Sequence, residues 1–249
     1  MYEVKEIWEN VKFFTGVLRD LPVSKSLTLD DGGYCVYTGD SHENWVYYPH
    51  AVNNVSTAEK VIKFFGECGE DVSFLWFMYG GNGKALTDSG LLYAGDMRAM
   101  TLDTVNLTLK PSNHDVVIMP STSHETWAVT SWTGFGGERD ETPESYISFA
   151  EALSNDERVS LYTAEIGGNA VGTFLLTNGA DVTGVYYFAV DPAARRKGIA
   201  RSMMNEICRL SEGKRIVLQA TPSGVPFYEN FGFTDLFPIA VYSNTEDVF

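Results

Sequence analysis

The chain has 249 residues, 44% apolar and 13% aromatic, with 9 Pro and 23 Gly. That composition excludes a disordered, collagen-like or coiled-coil protein and predicts a globular fold with a substantial core. Its 33 acidic against 18 basic side chains give a net charge of −15, which repels phosphate backbones and anionic lipid, so neither nucleic acid nor membrane is an expected partner. Cys35, Cys68 and Cys208 are far apart, and with four scattered histidines they show no metal-ligand spacing, so no metal is expected. The N-terminus is charged where a signal peptide turns apolar, and no apolar stretch is long enough to span a bilayer. A cytoplasmic protein with reduced thiols is the expectation.

In chain order, Val4, Ile7, Trp8, Val11, Phe14 and Leu18 recur at helical spacing and predict an amphipathic helix over 3–20, ended by Leu21-Pro22. Short strands are expected at 34–37 and 45–48. A helix is expected at 57–68 with Ser56 as N-cap and Glu59 at the capping-box position, followed by a buried strand at 72–78 and a loop at Gly80–Gly83. The polar, turn-prone run Lys110-Pro-Ser-Asn-His114 reads as a boundary between a domain at 1–112 and another at 113–249. The second domain reads as a strand (115–119), a helix (124–132), a Gly- and acid-rich loop (134–142) and a helix (143–153) with Thr142 as its cap and Pro143 in its first turn. Three strands follow (159–166, 170–176, 183–190), separated by Gly- and Asn-rich hairpin turns. A helix (198–210), a strand (216–220), a short helix (225–231) and a final strand (233–242) complete a mixed α/β sheet covered by helices.

Seven of the 18 basic residues fall between Arg195 and Arg215, and Arg195, Arg196, Lys197 and Arg201 lie within one heptad. They sit where Val190-Asp191-Pro192 closes a strand and Gly198-Ile199-Ala200 opens a helix. Free N–H groups at a helix start, with a glycine permitting close approach, form an anion cradle suited to a pyrophosphate; a solvated basic turn is the alternative reading.

The segment Arg195-x-x-Gly198-x-Ala200 after Val190-Asp191-Pro192 resembles the R/Q-x-x-G-x-G/A signature of the GNAT superfamily of N-acetyltransferases. Leu218–Phe233, with Tyr228 and Gly232-Phe233, resembles that family's last motif block, and the resemblance covers about 115–243. It implies a GNAT-type, mostly antiparallel mixed sheet covered by helices. It also implies acetyl-CoA as cosubstrate, its pyrophosphate held by the amides of Arg196, Lys197, Gly198, Ile199 and Ala200. Phe188, Ala189 and Val190 would pair with pantetheine and polarise the acetyl carbonyl. Arg195, Lys197 and Arg201 would supplement the phosphate contacts, and Tyr228 would protonate the departing thiolate as general acid. The other reading of Tyr228 is a core aromatic.

Sliding the chain by 142 positions sets 72–78 on 214–220, 57–68 on 199–210 and Gly90-Leu91 on Gly232-Phe233. The first half therefore reads as a degenerate copy, a pseudo-tandem repeat with Asn53–Ala58 in place of the cofactor loop and Leu86 in place of Tyr228. The strand before the loop, Val185-Tyr186-Tyr187-Phe188, carries no carboxylate to deprotonate an amine; Asp181 and Glu165 are the nearest candidates for a base. Trp127, Trp132, Phe135, Glu138, Asp140 and Glu141 collect where the acceptor should lie, which suits a cationic amine, small molecule or peptide. The other reading is an acidic loop with buried tryptophans. The family's last strand reads as short or missing, an edge for the first half or a second copy in a homodimer to cover. The sequence thus points to an N-acetyltransferase working on a primary amine by direct attack in a ternary complex. The alternative is a catalytically silent CoA-binding or interaction module.

Overall fold

The computed structural model describes residues 2–78, 80–105, 107–109, 111–113, 115–179 and 182–246. The first half runs α1 (Tyr2–Asp20), β1 (Lys25–Thr28), β2 (Tyr34–Tyr37), β3 (Trp45–Tyr47), α2 (Val55–Cys68), β4 (Leu75–Met78), α3 (Lys84–Asp88) and β5 (Leu92–Asp103). The second runs β6 (Val116–Pro120), α4 (His124–Gly134), α5 (Glu144–Ser154), β7 (Val159–Ile166), β8 (Asn169–Thr177) and β9 (Val182–Val190). It continues through α6 (Ile199–Leu210), β10 (Arg215–Ala220), α7 (Val225–Phe231) and β11 (Thr234–Ser243). Among the described residues no helix is long and apolar enough to cross a membrane.

The chain folds as two compact units. One compact unit comprises the chain to Met100 together with Gln219–Asn230 and the residues from Thr234 onward; the other comprises Thr101–Leu218 and Phe231–Phe233. Of the expected linker, Lys110 and His114 lie outside the described residues.

In the first unit β1, β2 and β3 are antiparallel neighbours, β3 and β4 are parallel, and β11 pairs antiparallel with β4 from Ala240–Met78 to Ser243–Leu75. The stripe expected on α1 is buried at Ile7, Val11, Phe14 and Leu18, with the Phe14 ring 5.5 Å from that of Trp45. On α2, Ala58, Val61 and Phe65 are buried, and Phe65 stacks on Phe74 at 4.4 Å. Each such side chain, once fully buried, favours folding by about 1.5–3 kcal/mol.

In the second unit β6, β7, β8 and β9 form an antiparallel meander, with β10 parallel to β9. Trp127, Tyr146, Phe149 and Phe174 are among its largest buried side chains. This is the mixed, largely antiparallel sheet that the resemblance implied.

The structure corrects three local expectations. Asn54, not Ser56, caps α2, its Oδ1 accepting the Thr57 N–H at 2.9 Å. Thr142 does not cap α5; Pro143 holds the cap position and makes no side-chain cap bond. The segments 25–28, 84–88 and 92–103, unassigned from sequence, form β1, α3 and β5. The strand expected at 233–242 is β11, which has ten residues and pairs with β4 in the sheet of the first unit. The repeat is visible element by element, since displacing β4 and α3 by 142 positions lands them within β10 and α7.

Candidate active site

The second unit builds its most distinctive geometry along β9. The parallel ladder between β9 and β10 holds Val182, Thr183 and Gly184 against Arg215, Ile216 and Val217 and ends there. Six residues of β9, Val185–Val190, run on beyond it. On the other side, the β8 register passes from Leu175–Tyr186 to Thr173–Ala189, so Tyr187 and Phe188 together oppose Phe174. Tyr187 takes a left-handed φ of 49° at this bulge, unusual for a bulky residue and the kind of strain found where a strand is re-aimed beside a site. Thr173 Oγ1 donates to the Tyr187 carbonyl at 3.2 Å. The Tyr187 ring lies 5.5 Å from Trp127, 6.0 Å from Phe149 and 6.4 Å from Phe135.

After Val190 the chain makes a tight loop. Asp191 accepts the Ala193 N–H at 2.9 Å and is ion-paired to Arg139 at 2.8 Å. Arg196 and Gly198 both adopt left-handed conformations, with φ of 63° and 81°. Helix α6 begins at Ile199, and the Ser202 N–H reaches back to the Gly198 carbonyl at 3.0 Å. The first-turn N–H groups ahead of Ser202 therefore have no acceptor within the helix, which makes an anion cradle. Arg196 and Lys197 are exposed beside it and Arg201 is half-buried; Lys197 Nζ lies 3.3 Å from the Ala193 carbonyl. Left-handed backbone, free helix N–H groups and cations fit a pyrophosphate. A groove of about 570 Å³ beside the loop is bordered by Arg139, Asp191, Ala193 and Lys197.

Arg195 makes two contacts to backbone carbonyls. Its Nε donates to the Val190 carbonyl at 3.1 Å and its Nη2 to the Gly134 carbonyl at 2.8 Å. Sequence reasoning also missed Asn113, whose side-chain amide donates to the Lys197 carbonyl at 2.9 Å, and Arg139. Both act across long sequence separations, and no local motif marks them.

Of the residues expected at the acceptor side, Phe135 is 59% exposed and Glu138, Asp140 and Glu141 are exposed. Trp132 is half-buried against Tyr146, with ring centroids 5.6 Å apart. Trp127 is core: it is fully buried, and its indole N–H points to the Phe174 carbonyl at 3.4 Å. Glu165 is half-buried on β7, and Asp181 lies outside the described residues. Tyr228, on α7, belongs to the first unit. It is buried beside Phe227, and burial pushes its phenol well above the ordinary tyrosine range.

The first unit's counterpart of the loop before α6 is closed by its own side chains. Asn54 Oδ1 accepts from the Thr57 N–H, Thr57 Oγ1 and Ser56 Oγ at 2.8–3.0 Å, which occupies the start of α2. Tyr48 is buried against Trp76, and Leu86, the counterpart of Tyr228, is fully buried. Among the described residues no three His, Cys, Asp or Glu side chains gather as a metal-ligating group.

Residues 157–235 match the family model described as an acetyltransferase (GNAT) domain. The fold is similar to a GCN5-related N-acetyltransferase from Kribbella flavida, with 14% identity over 95% of each chain and a TM-score of 0.64. A GCN5-related N-acetyltransferase from Sphaerobacter thermophilus gives 15% identity, 92% and 84% coverage of this chain and that, and a TM-score of 0.57. A tandem GNAT protein from the clavulanic acid biosynthesis pathway gives 11% identity, 93% and 86% coverage and a TM-score of 0.55. No curated protein matches the sequence.

Proposed function

We propose that the chain transfers an acetyl group from acetyl-CoA to a primary amine by direct attack in a ternary complex, a reading supported by the match of residues 157–235 to a GNAT acetyltransferase domain and by the likeness of the fold to a tandem GNAT protein. The observation that carries the reading is the ladder that ends at Gly184 and Val217 while β9 runs on into a loop of left-handed residues at the start of α6. Bound acetyl-CoA supplies the acetyl thioester. The amides of Arg196, Lys197, Gly198, Ile199 and Ala200 hold its pyrophosphate, with Lys197 and Arg201 adding charge. Phe188, Ala189 and Val190 offer backbone groups beyond the ladder to an added strand, here pantetheine, and an N–H there polarises the acetyl carbonyl.

Tyr228 is assigned as the acid for the departing thiolate from the motif resemblance. Burial supports that role to the extent that it keeps the phenol protonated at neutral pH. Trp132, Phe135 and Glu138 form the acceptor side. Direct attack is favoured over a covalent acetyl-enzyme by the state of the thiols. Burial pushes Cys35 and Cys208 up to about 12, and it raises Cys68 as well, so none is a ready thiolate.

A second reading, a CoA-binding module without turnover, draws on one observation: β9, Val182–Val190, bears no carboxylate to act as base. Thiol release from acetyl-CoA across a panel of amines separates the two. Acetyl-CoA stabilisation with amine-dependent thiol release supports the enzyme; stabilisation without release by any amine favours the module.

A further inference from the structure

We infer that Arg195 is a positioning residue, a latch that ties the end of α4 to the end of β9, and not a ligand of the cofactor's phosphates. The inference deepens the acetyl-CoA reading, since it reassigns one residue of the same loop. The guanidinium fork is divided between carbonyls on two elements: Nε–H to Val190 at 3.1 Å and Nη2–H to Gly134 at 2.8 Å. Gly134 is the last residue of α4; the carbonyls of Ser131, Trp132 and Thr133 accept N–H groups from Phe135, Gly136 and Gly137, and Arg195 takes that of Gly134, where the negative end of the helix dipole favours a cation.

The approach is close. A Cβ at Gly134 would lie 2.6 Å from the Ala189 Cβ, so the helix end rests directly on β9. A second tie runs parallel to the first, because Arg139 pairs with Asp191, whose other oxygen holds the Ala193 N–H. Between the two ties lie Phe135, whose ring meets Tyr187, and Glu138. The acceptor-side segment 134–139 is thus fastened at both ends to the loop that begins at Asp191. Lysine cannot reproduce the first tie, since one compact ammonium lacks the rigid fork that reaches two carbonyls at once.

The test compares Arg195→Ala, Arg195→Lys and Arg139→Ala in the full chain. The readouts are amide hydrogen exchange at Phe135, Gly136 and Gly137 and calorimetric titration with CoA. A latch predicts that both Arg195 variants speed exchange of those amides by about tenfold or more without ligand, and that Arg139→Ala speeds it by less. Both Arg195 variants should weaken CoA equally and by less than about threefold. If alanine weakens CoA by about tenfold or more and lysine restores it, Arg195 is a phosphate ligand and the inference fails. Unchanged exchange in the variants also overturns it. Should the Arg195 variants not fold, exchange in Arg139→Ala indistinguishable from wild type overturns the paired-tie arrangement. Absence of CoA binding to the wild type fails the acetyl-CoA reading instead, while accelerated exchange without ligand still supports the latch.

Discussion

Asn113 donates its side-chain amide to the Lys197 carbonyl at 2.9 Å, while its own N–H bonds Ser202 Oγ at 3.1 Å. One residue thereby holds both the loop ahead of α6 and the first turn of that helix. The next residue, Gly198, sits at φ 81°, and a Cβ there would meet nothing nearer than Asn113 Cβ at 3.5 Å. A side chain fits sterically, so a change there tests the cradle's electrostatics and not its packing. CoA at about 100 times its dissociation constant should stabilise the wild type by about 2.7 kcal/mol. Gly198→Asp places a carboxylate among the N–H groups and should abolish that shift, whereas Gly198→Ala, strained by about 1–2 kcal/mol, should keep part of it. Titration should give one CoA per wild-type chain, because Asn54 fills the equivalent place in the first unit. An undiminished shift in Gly198→Asp would move the site elsewhere, and a stoichiometry of two would reopen the first unit.

The elements flanking this loop were legible because their signals are local. From Val159 to Phe231 the expected strands and helices fall within a residue of those observed, since alternating strands are bracketed by glycine turns. Strand β5 was not legible. Leu92–Asp103 carries Gly95, Asp96 and Arg98 in a half that is exposed or half-buried, and only Ala99–Leu102 is buried, so no period-2 pattern emerges. Asn54 and Ser56 are both good cap residues two positions apart, and only the backbone geometry chooses between them. The cradle itself is written in Arg195–Ala200. The partners that shape it, Asn113, Gly134 and Arg139, lie 52–84 residues away, beyond the reach of any spacing argument.

The pairing of β11 with β4 makes the end of the chain essential to the first unit. Val241 is fully buried and stands opposite Phe77. Val241→Asp loses its apolar burial and leaves a carboxylate without a partner, a cost of more than about 3 kcal/mol. The melting temperature should fall by roughly 6–12 °C, with loss of near-UV signal from the buried Trp45 and Trp76. Thr234→Ala, at the exposed start of the same strand, should leave both unchanged. A Val241→Asp protein that melts like wild type would refute this pairing.

The buried thiols set a pH dependence whose sign is fixed. Cys35 and Cys208 are raised from 9.0 to about 12 by burial. Between those values the unfolded chain loses thiol protons that the folded chain keeps. The stability they contribute is therefore full below pH 9 and drains away as pH rises toward 12. Stability measured from pH 7 to 11 should fall with a shallower slope in Cys35→Ala/Cys208→Ala than in wild type, even though the cavities lower its value at pH 7. At pH 8 a thiol reagent should leave both residues unmodified until the protein is denatured. Rapid native labelling of either would contradict its burial.

Tyr228 allows the chemical step to be separated from binding. Its phenol is buried and shifted upward, so at neutral pH it is a proton donor and not a base. Tyr228→Phe removes that proton and nearly preserves the ring's packing beside Phe227. General-acid catalysis contributes about 100–10,000-fold, so acetyl transfer should slow by at least about tenfold even where the coenzyme's thiolate departs partly unassisted. CoA-dependent stabilisation should stay near wild type, because the substitution leaves the loop from Asp191 to Arg201 untouched. The rate is measured as thiol release at saturating acetyl-CoA with an amine that the panel identifies, alongside the thermal shift on the same preparations. A fall in both quantities would mark Tyr228 as a packing residue. An unchanged turnover number, where chemistry limits the rate, would remove it from the mechanism and leave the loop to account for the cofactor alone.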